Sequence, residues 1–132
     1  MSLVMVVDDN PVHLEMLSRV ATKTVGKDGR VEQFGSALDL LHRICDEGEV
    51  PDLLILDYML PEMDGLQALR ILRNRGVNSR VMIVSAYLDQ ISEKLIPSNN
   101  VSTVVNKPYS LVKLAEEIAK SLGMKVEVAN GA

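Results

Sequence analysis

Short, unbroken apolar runs alternate along this chain with longer stretches whose apolar residues recur every three or four positions. Leu3 to Val7, Leu53 to Leu56 and Val81 to Val84 are continuously apolar. Such runs, without polar alternation, suit strands covered on both faces, as in a parallel sheet. Val31 to Phe34 and Val101 to Val105 carry the same signal more weakly, because polar residues interrupt them.

Helical patterns fill the intervals. Asn10 can cap a first helix with Pro11 at its first position, and Val12, Met16 and Val20 recur along it at four-residue spacing. Ser36 precedes a second helix, with Leu40, Leu41 and Ile44 as its buried stripe. Asp64 can cap a third that turns Leu66, Leu69 and either Leu72 or Ile71 inward. A fourth is expected over about Leu88 to Leu95, stopped by Pro97. Ser110 caps a fifth, lined by Leu111, Leu114, Ile118 and Leu122 and ended by Gly123. Five strand–helix units of this size predict a single doubly wound α/β domain with helices on both faces of the sheet. In such sheets the ligand crevice lies at the carboxyl ends of the strands. Asp9, Asp57, Ser85 and Lys107 each sit at the end of an apolar run, so four strands deliver polar side chains to one rim.

Composition narrows the field. A chain of 132 residues, 47% apolar and 24% charged, can build one core without metal or disulfide staples. Its formal charge of −4 argues against direct binding of nucleic acid or of an anionic membrane. Cys45 is the only cysteine, which excludes an internal disulfide and a cysteine metal cluster. Lying in an apolar helical pattern, it reads as a small buried hydrophobe. No apolar stretch approaches the length of a membrane span, and the start lacks a basic flank followed by a long apolar region. The cytoplasm is the expected location. The domain is expected over residues 1–123, with residues 124–132 a short tail or the start of a linker.

The rim residues suggest phosphoryl chemistry. Adjacent carboxylates such as Asp8 and Asp9 repel unless one is protonated or a cation intervenes. Mg²⁺ takes oxygen ligands, usually one or two carboxylates plus waters and a phosphate oxygen. Asp9 and Asp57 would supply the carboxylates, with Asp8 acting through water. Asp57 could attack phosphorus to form an acyl phosphate, while Lys107 and the Ser85 hydroxyl hold the outer oxygens. Taken singly, each has a plainer reading. A strand-end aspartate often only caps a helix, the role expected for Asp64; a lone lysine is usually solvated and a lone serine is a turn hydroxyl. At four strand ends together, phosphoryl transfer accounts for them better.

Asp8-Asp9, the segment from Asp57 to Gly65, Ser85-Ala86 and Lys107-Pro108 follow in the order and at the intervals of a known family. From Leu3 to about Gly123 the chain resembles the receiver domains of two-component response regulators. The resemblance implies a flavodoxin-like (βα)5 domain with a five-stranded parallel sheet in the order 2-1-3-4-5. It implies Asp57 as phosphoacceptor, Asp8 and Asp9 as the acidic pocket, and the Met59 backbone carbonyl in a Mg²⁺ shell. Ser85 and Lys107 would hold the phosphoryl group, and Pro108 would follow a cis peptide. The implied donor is a histidine on a sensor histidine kinase or a histidine phosphotransfer protein. The receiver of the signal would be a downstream output protein or output domain. The chain would promote only its own phosphorylation and dephosphorylation, and a phosphorylation-dependent homodimer is compatible with the family.

Two positions depart from the family. Val104 stands where Tyr or Phe is common, and valine has no ring to turn inward when the domain switches. Tyr87, two residues after Ser85, either shields phospho-Asp57 from water or faces a partner. Tyr109 is expected to anchor the last helix by packing. His13 and His42 are expected to be ordinary surface or boundary residues, and the methionines to pack in the core. Two alternatives stand beside the signalling module. One is a Mg²⁺-dependent aspartyl-phosphate phosphatase, disfavoured by Met59 where such enzymes place an acid–base Asp and by the lack of an inserted cap. The other is an interaction domain that works without phosphorylation, which Val104 leaves open. Leu111, Leu114 and Ile118 are assigned to the core rather than to a dimer face.

Overall fold

A computed structural model describes residues 2–85, 101–107 and 110–124. Five strands, β1 (Leu3–Val7), β2 (Arg30–Phe34), β3 (Leu53–Asp57), β4 (Arg80–Ser85) and β5 (Val101–Asn106), form one parallel sheet in the order β2-β1-β3-β4-β5. This is the order the resemblance implies. Every residue of β1 and β3 is buried, which explains their unbroken apolar runs. β2 lies at one edge and is only partly covered, so its sequence is mixed.

The described helices are α1 (Pro11–Val25), α2 (Ala37–Leu41), α3 (Gly65–Asn74) and α4 (Leu111–Ser121). Alternate strand residues point to two core layers. Met5, Leu54, Leu56 and Ile83 meet Leu40, Leu69 and Leu72 of α2 and α3. Val4, Val6, Ile55 and Met82 meet Leu17, Leu114 and Ile118 of α1 and α4. The three predicted caps form, and Ser36 caps α2 as well. Asn10 accepts from the amides of Val12 and His13, Ser36 from Asp39, and Ser110 from Lys113. Asp64 makes a reciprocal box: its side chain accepts from the Gln67 amide at 2.8 Å, and Gln67 Oε1 accepts from the Asp64 amide at 2.9 Å. Gly123 ends α4 with φ of 72°, a conformation that favours glycine.

Helices α1, α2 and α4 differ from the sequence reading, and α3 settles an alternative it left open. Val12 and Met16 are 65% and 38% exposed, and α1 buries Leu17, Ser18 and Ala21 instead. Strict four-residue steps drift around a helix of 3.6 residues per turn, so only Val20 of the expected stripe is drawn toward the core. Ser18 is tolerated there because its hydroxyl donates to the Leu14 carbonyl at 2.7 Å. After Leu41, α2 widens into a π-helical turn, His42–Asp46, in which the Glu47 amide reaches back five residues to the His42 carbonyl. Cys45 in that turn is half-buried rather than buried. In α3 it is Leu72, not Ile71, that enters the core. Leu111 is 51% exposed, because the first turn of α4 precedes Leu114, where the helix meets the core. The methionines divide between the core (Met5, Met82) and the surface (Met16, Met59).

The predicted fourth helix, Tyr87, Pro108 with its cis peptide, Tyr109 and the tail after Met124 lie outside the described residues. No helix among the described residues is long and apolar enough to cross a membrane.

Candidate functional site

Parallel pairing sets the strand ends level. Val7 pairs with Leu56, Asp57 with Val84, and Ser85 with Asn106. Backbone bonds carry this order past the strands: the Asp8 amide donates to Phe34, Tyr58 to Val84 and Lys107 to Ser85. Asp8, Asp57, Ser85 and Lys107 therefore arrive at one rim, where the apolar runs predict Asp9, Asp57, Ser85 and Lys107.

At the centre of the rim, Lys107 Nζ lies 3.3 Å from Asp8 Oδ2 and 3.2 Å from Asp57 Oδ2. The other oxygen of each carboxylate accepts from a turn amide, Asn10 N at 2.9 Å for Asp8 and Met59 N at 3.2 Å for Asp57. Asp8 and Asp57 are buried whereas Asp9 is exposed, yet carboxylate oxygens of all three lie within 4.8 Å of one another. Ser85 is fully buried at the end of β4. Met59 turns its amide to Asp57 while its side chain is exposed.

Charge is unbalanced here. Burial pushes the Asp57 carboxyl above its ordinary range and the neighbouring Asp8 charge adds to this, while Lys107 pulls it partly back. Burial alone would lower the Lys107 ammonium, but the charges of Asp57 and Asp8 outweigh it and hold the group above the ordinary lysine value. Among the described residues, three carboxylates against one ammonium make a hard, all-oxygen donor set with surplus negative charge. Those properties fit a small divalent cation such as Mg²⁺.

Two neighbours matter more than the sequence reading allowed. Gly65 donates its amide to the Tyr58 carbonyl at 2.7 Å, closing the segment that begins at Asp57. A Cβ there would lie 2.9 Å from the Asp57 carbonyl oxygen and 3.1 Å from Tyr58 Cα, so only glycine fits. His13, expected to be an ordinary surface residue, puts Nδ1 3.4 Å from Lys107 Nζ and 3.9 Å from Asp8 Oδ2. The available signal was its place in the first turn of a helix that starts immediately after the acidic strand end. His42 keeps to the surface and pairs with Asp46 at 2.7 Å. Val104 is a half-buried part of the core beneath α2 and α3.

Comparison with known proteins agrees with this geometry. Residues 4–119 match the response regulator receiver domain family. The chain is 29% identical to sporulation initiation phosphotransferase F of Bacillus subtilis, over 92% of this chain and 94% of that protein. It is 31% identical to protein-glutamate methylesterase/protein-glutamine glutaminase 2 of Koribacter versatilis, over 98% of this chain but 35% of that protein. The chain thus spans about a third of the methylesterase's length. A response regulator receiver domain protein from Methanospirillum hungatei shares the fold, with a TM-score of 0.78, 23% identity and coverage of 93% of this chain and 94% of that one. With matched residues running from β1 into α4 and the acidic rim inside them, the chain belongs to the response regulator receiver domain family.

Proposed function

We propose that Asp57 accepts a phosphoryl group from a phosphohistidine on a sensor kinase or phosphotransfer protein, and that the domain passes the signal to an output partner in the cytoplasm. An Asp57 carboxylate oxygen forms the new bond to phosphorus as the bond to the donor imidazole breaks, its electron pair leaving with the nitrogen. Lys107 carries this reading. It already touches Asp57 and Asp8, so its ammonium can follow the incoming oxygens without leaving the site. Asp9 and Asp57, with Asp8 behind them and the Met59 carbonyl alongside, would hold Mg²⁺, which when bound offsets the charge of the transferring group. The Met59 amide orients the Asp57 carboxylate, and Ser85 supplies a hydroxyl at the end of β4 for the phosphoryl oxygens. With Val104 packed as a core valine, ring relocation has no counterpart at this position. Transmission then runs through Ser85 and Lys107.

The test is labelling with acetyl phosphate. The parent protein should form a Mg²⁺-dependent, alkali-labile acyl phosphate and Asp57→Asn should form none. Absence of labelling in the parent would favour an interaction domain that works without phosphorylation. Sustained turnover of small phosphate esters would favour the phosphatase reading.

A further inference from the structure

We infer that His13 is a positioning residue for Lys107, acting through a hydrogen bond from the ammonium to Nδ1; this rests on the phosphoacceptor reading above. An ammonium has three N–H donors and no acceptor. Among the described residues, two carboxylate oxygens and a ring nitrogen surround Lys107 Nζ: Asp57 Oδ2 at 3.2 Å, Asp8 Oδ2 at 3.3 Å and His13 Nδ1 at 3.4 Å. They come from the ends of β3 and β1 and from the first turn of α1, so they approach the nitrogen from separate parts of the fold. With one proton toward Asp8 and one toward His13, the third points to the edge of Asp57, where phosphoryl oxygens would arrive.

Two acceptors alone leave an ammonium free to swing about the line joining them. A third, on a capped helix, removes that freedom. The first turn of α1 is held by Asn10, whose side chain accepts from the His13 amide at 3.2 Å, so the imidazole stands on a fixed base. A ring that accepts at Nδ1 carries its proton on Nε2. His13 is 41% exposed in its side chain and has room to do this without repacking the core. It touches the reacting oxygens only through Lys107, which is why its role is placement rather than chemistry.

Two measurements test this. In the metal-free protein, the nitrogen-15 resonance of His13 Nδ1 should show an accepted hydrogen bond and shift toward an unbonded acceptor in Lys107→Ala. In acetyl phosphate labelling, His13→Ala should slow Asp57 phosphorylation about five- to tenfold with Mg²⁺ affinity unchanged, and His13→Gln, which keeps an acceptor, should recover most of the loss. An Nδ1 resonance indifferent to Lys107, a labelling rate indifferent to His13, or a loss that Gln does not rescue would each overturn the inference. Failure of the parent protein to label at all would instead overturn the phosphoacceptor reading, and the nitrogen resonance would still decide whether His13 bonds Lys107.

Discussion

The two ends of the sheet carry similar residues and use them in opposite ways. At the amino-terminal edge, polar side chains bond to backbone. Asp52 Oδ2 accepts from the Leu3 amide at 2.7 Å, Ser79 Oγ donates to the Pro51 carbonyl at 2.6 Å, and Arg80 Nη1 donates to the Ser121 carbonyl at 2.7 Å. A polar cavity of about 280 Å³ beside Ser2, Asp52, Arg80 and Ser121 leaves that edge open to water. At the carboxyl edge the charges lean on each other: Asp8 and Asp57 both pair with Lys107, and Asp9 adds a third carboxylate nearby. Groups satisfied by backbone stitch the fold together and need nothing further. Groups that depend on one another under burial remain short of positive charge, and that shortage fits the cation and phosphoryl group proposed for the site.

Removing one cation at each end is the sharpest test of the contrast. Without divalent cation, Lys107→Ala should cost about 3 kcal/mol in urea unfolding, because it strands two buried carboxylates. Arg80→Ala, which gives up one bond to a carbonyl, should cost about 1 kcal/mol. Equal costs would erase the distinction between the two edges.

Gly65→Ala comes next. The added methyl group meets backbone rather than a flexible side chain, so it should cost about 2 kcal/mol and also slow acetyl phosphate labelling by displacing the Asp57 segment. Wild-type stability and labelling would show that the close approach is unimportant.

Neutralising one carboxylate at each end should change stability in opposite directions. Asp52→Ala loses its bond to the Leu3 amide and should destabilise by about 1 kcal/mol. Asp57→Asn relieves buried repulsion and should raise the melting temperature of the metal-free protein. A lower melting temperature for Asp57→Asn would mean that Lys107 already compensates the site fully.

The smallest effect is in pH. Asp57 binds its proton more tightly folded than unfolded, so its contribution to stability falls as pH rises from the ordinary carboxylate value to the raised one. Lys107 has the same sign in a more alkaline range: its contribution persists below the ordinary lysine value and is lost as pH rises through its raised one. Melting curves from about pH 4 to 8 should show the acid-side decline in metal-free protein. It should be missing in Asp57→Asn and offset by Mg²⁺, which binds the ionised carboxylates. A flat profile in the parent would argue against a raised Asp57.

How far the sequence could be read depended on whether a feature is local. The apolar runs of β1, β3 and β4 and the caps Asn10, Asp64 and Ser110 were legible because each is decided within a few residues. The convergence of Asp57, Ser85 and Lys107 with the acidic end of β1 was legible as well, since a parallel sheet brings every carboxyl end to the same side; that Asp8 rather than Asp9 is the buried partner of Lys107 was not. The inward faces of the helices were read less well. Val12, Met16 and Leu111 satisfy a helical period yet stand exposed, because periodicity defines a stripe but not the angle at which a helix settles on the sheet.

By itself, the chain determined its strands, its caps and the set of oxygen and nitrogen groups at one rim, all through short-range pattern and the directionality of parallel strands. Tertiary structure alone decided that Lys107 bridges Asp8 and Asp57, that Gly65 lies against the Asp57 backbone and that His13 reaches the ammonium. Those contacts join residues up to 99 positions apart, and a distance of a few ångströms between them is set only when both core layers pack.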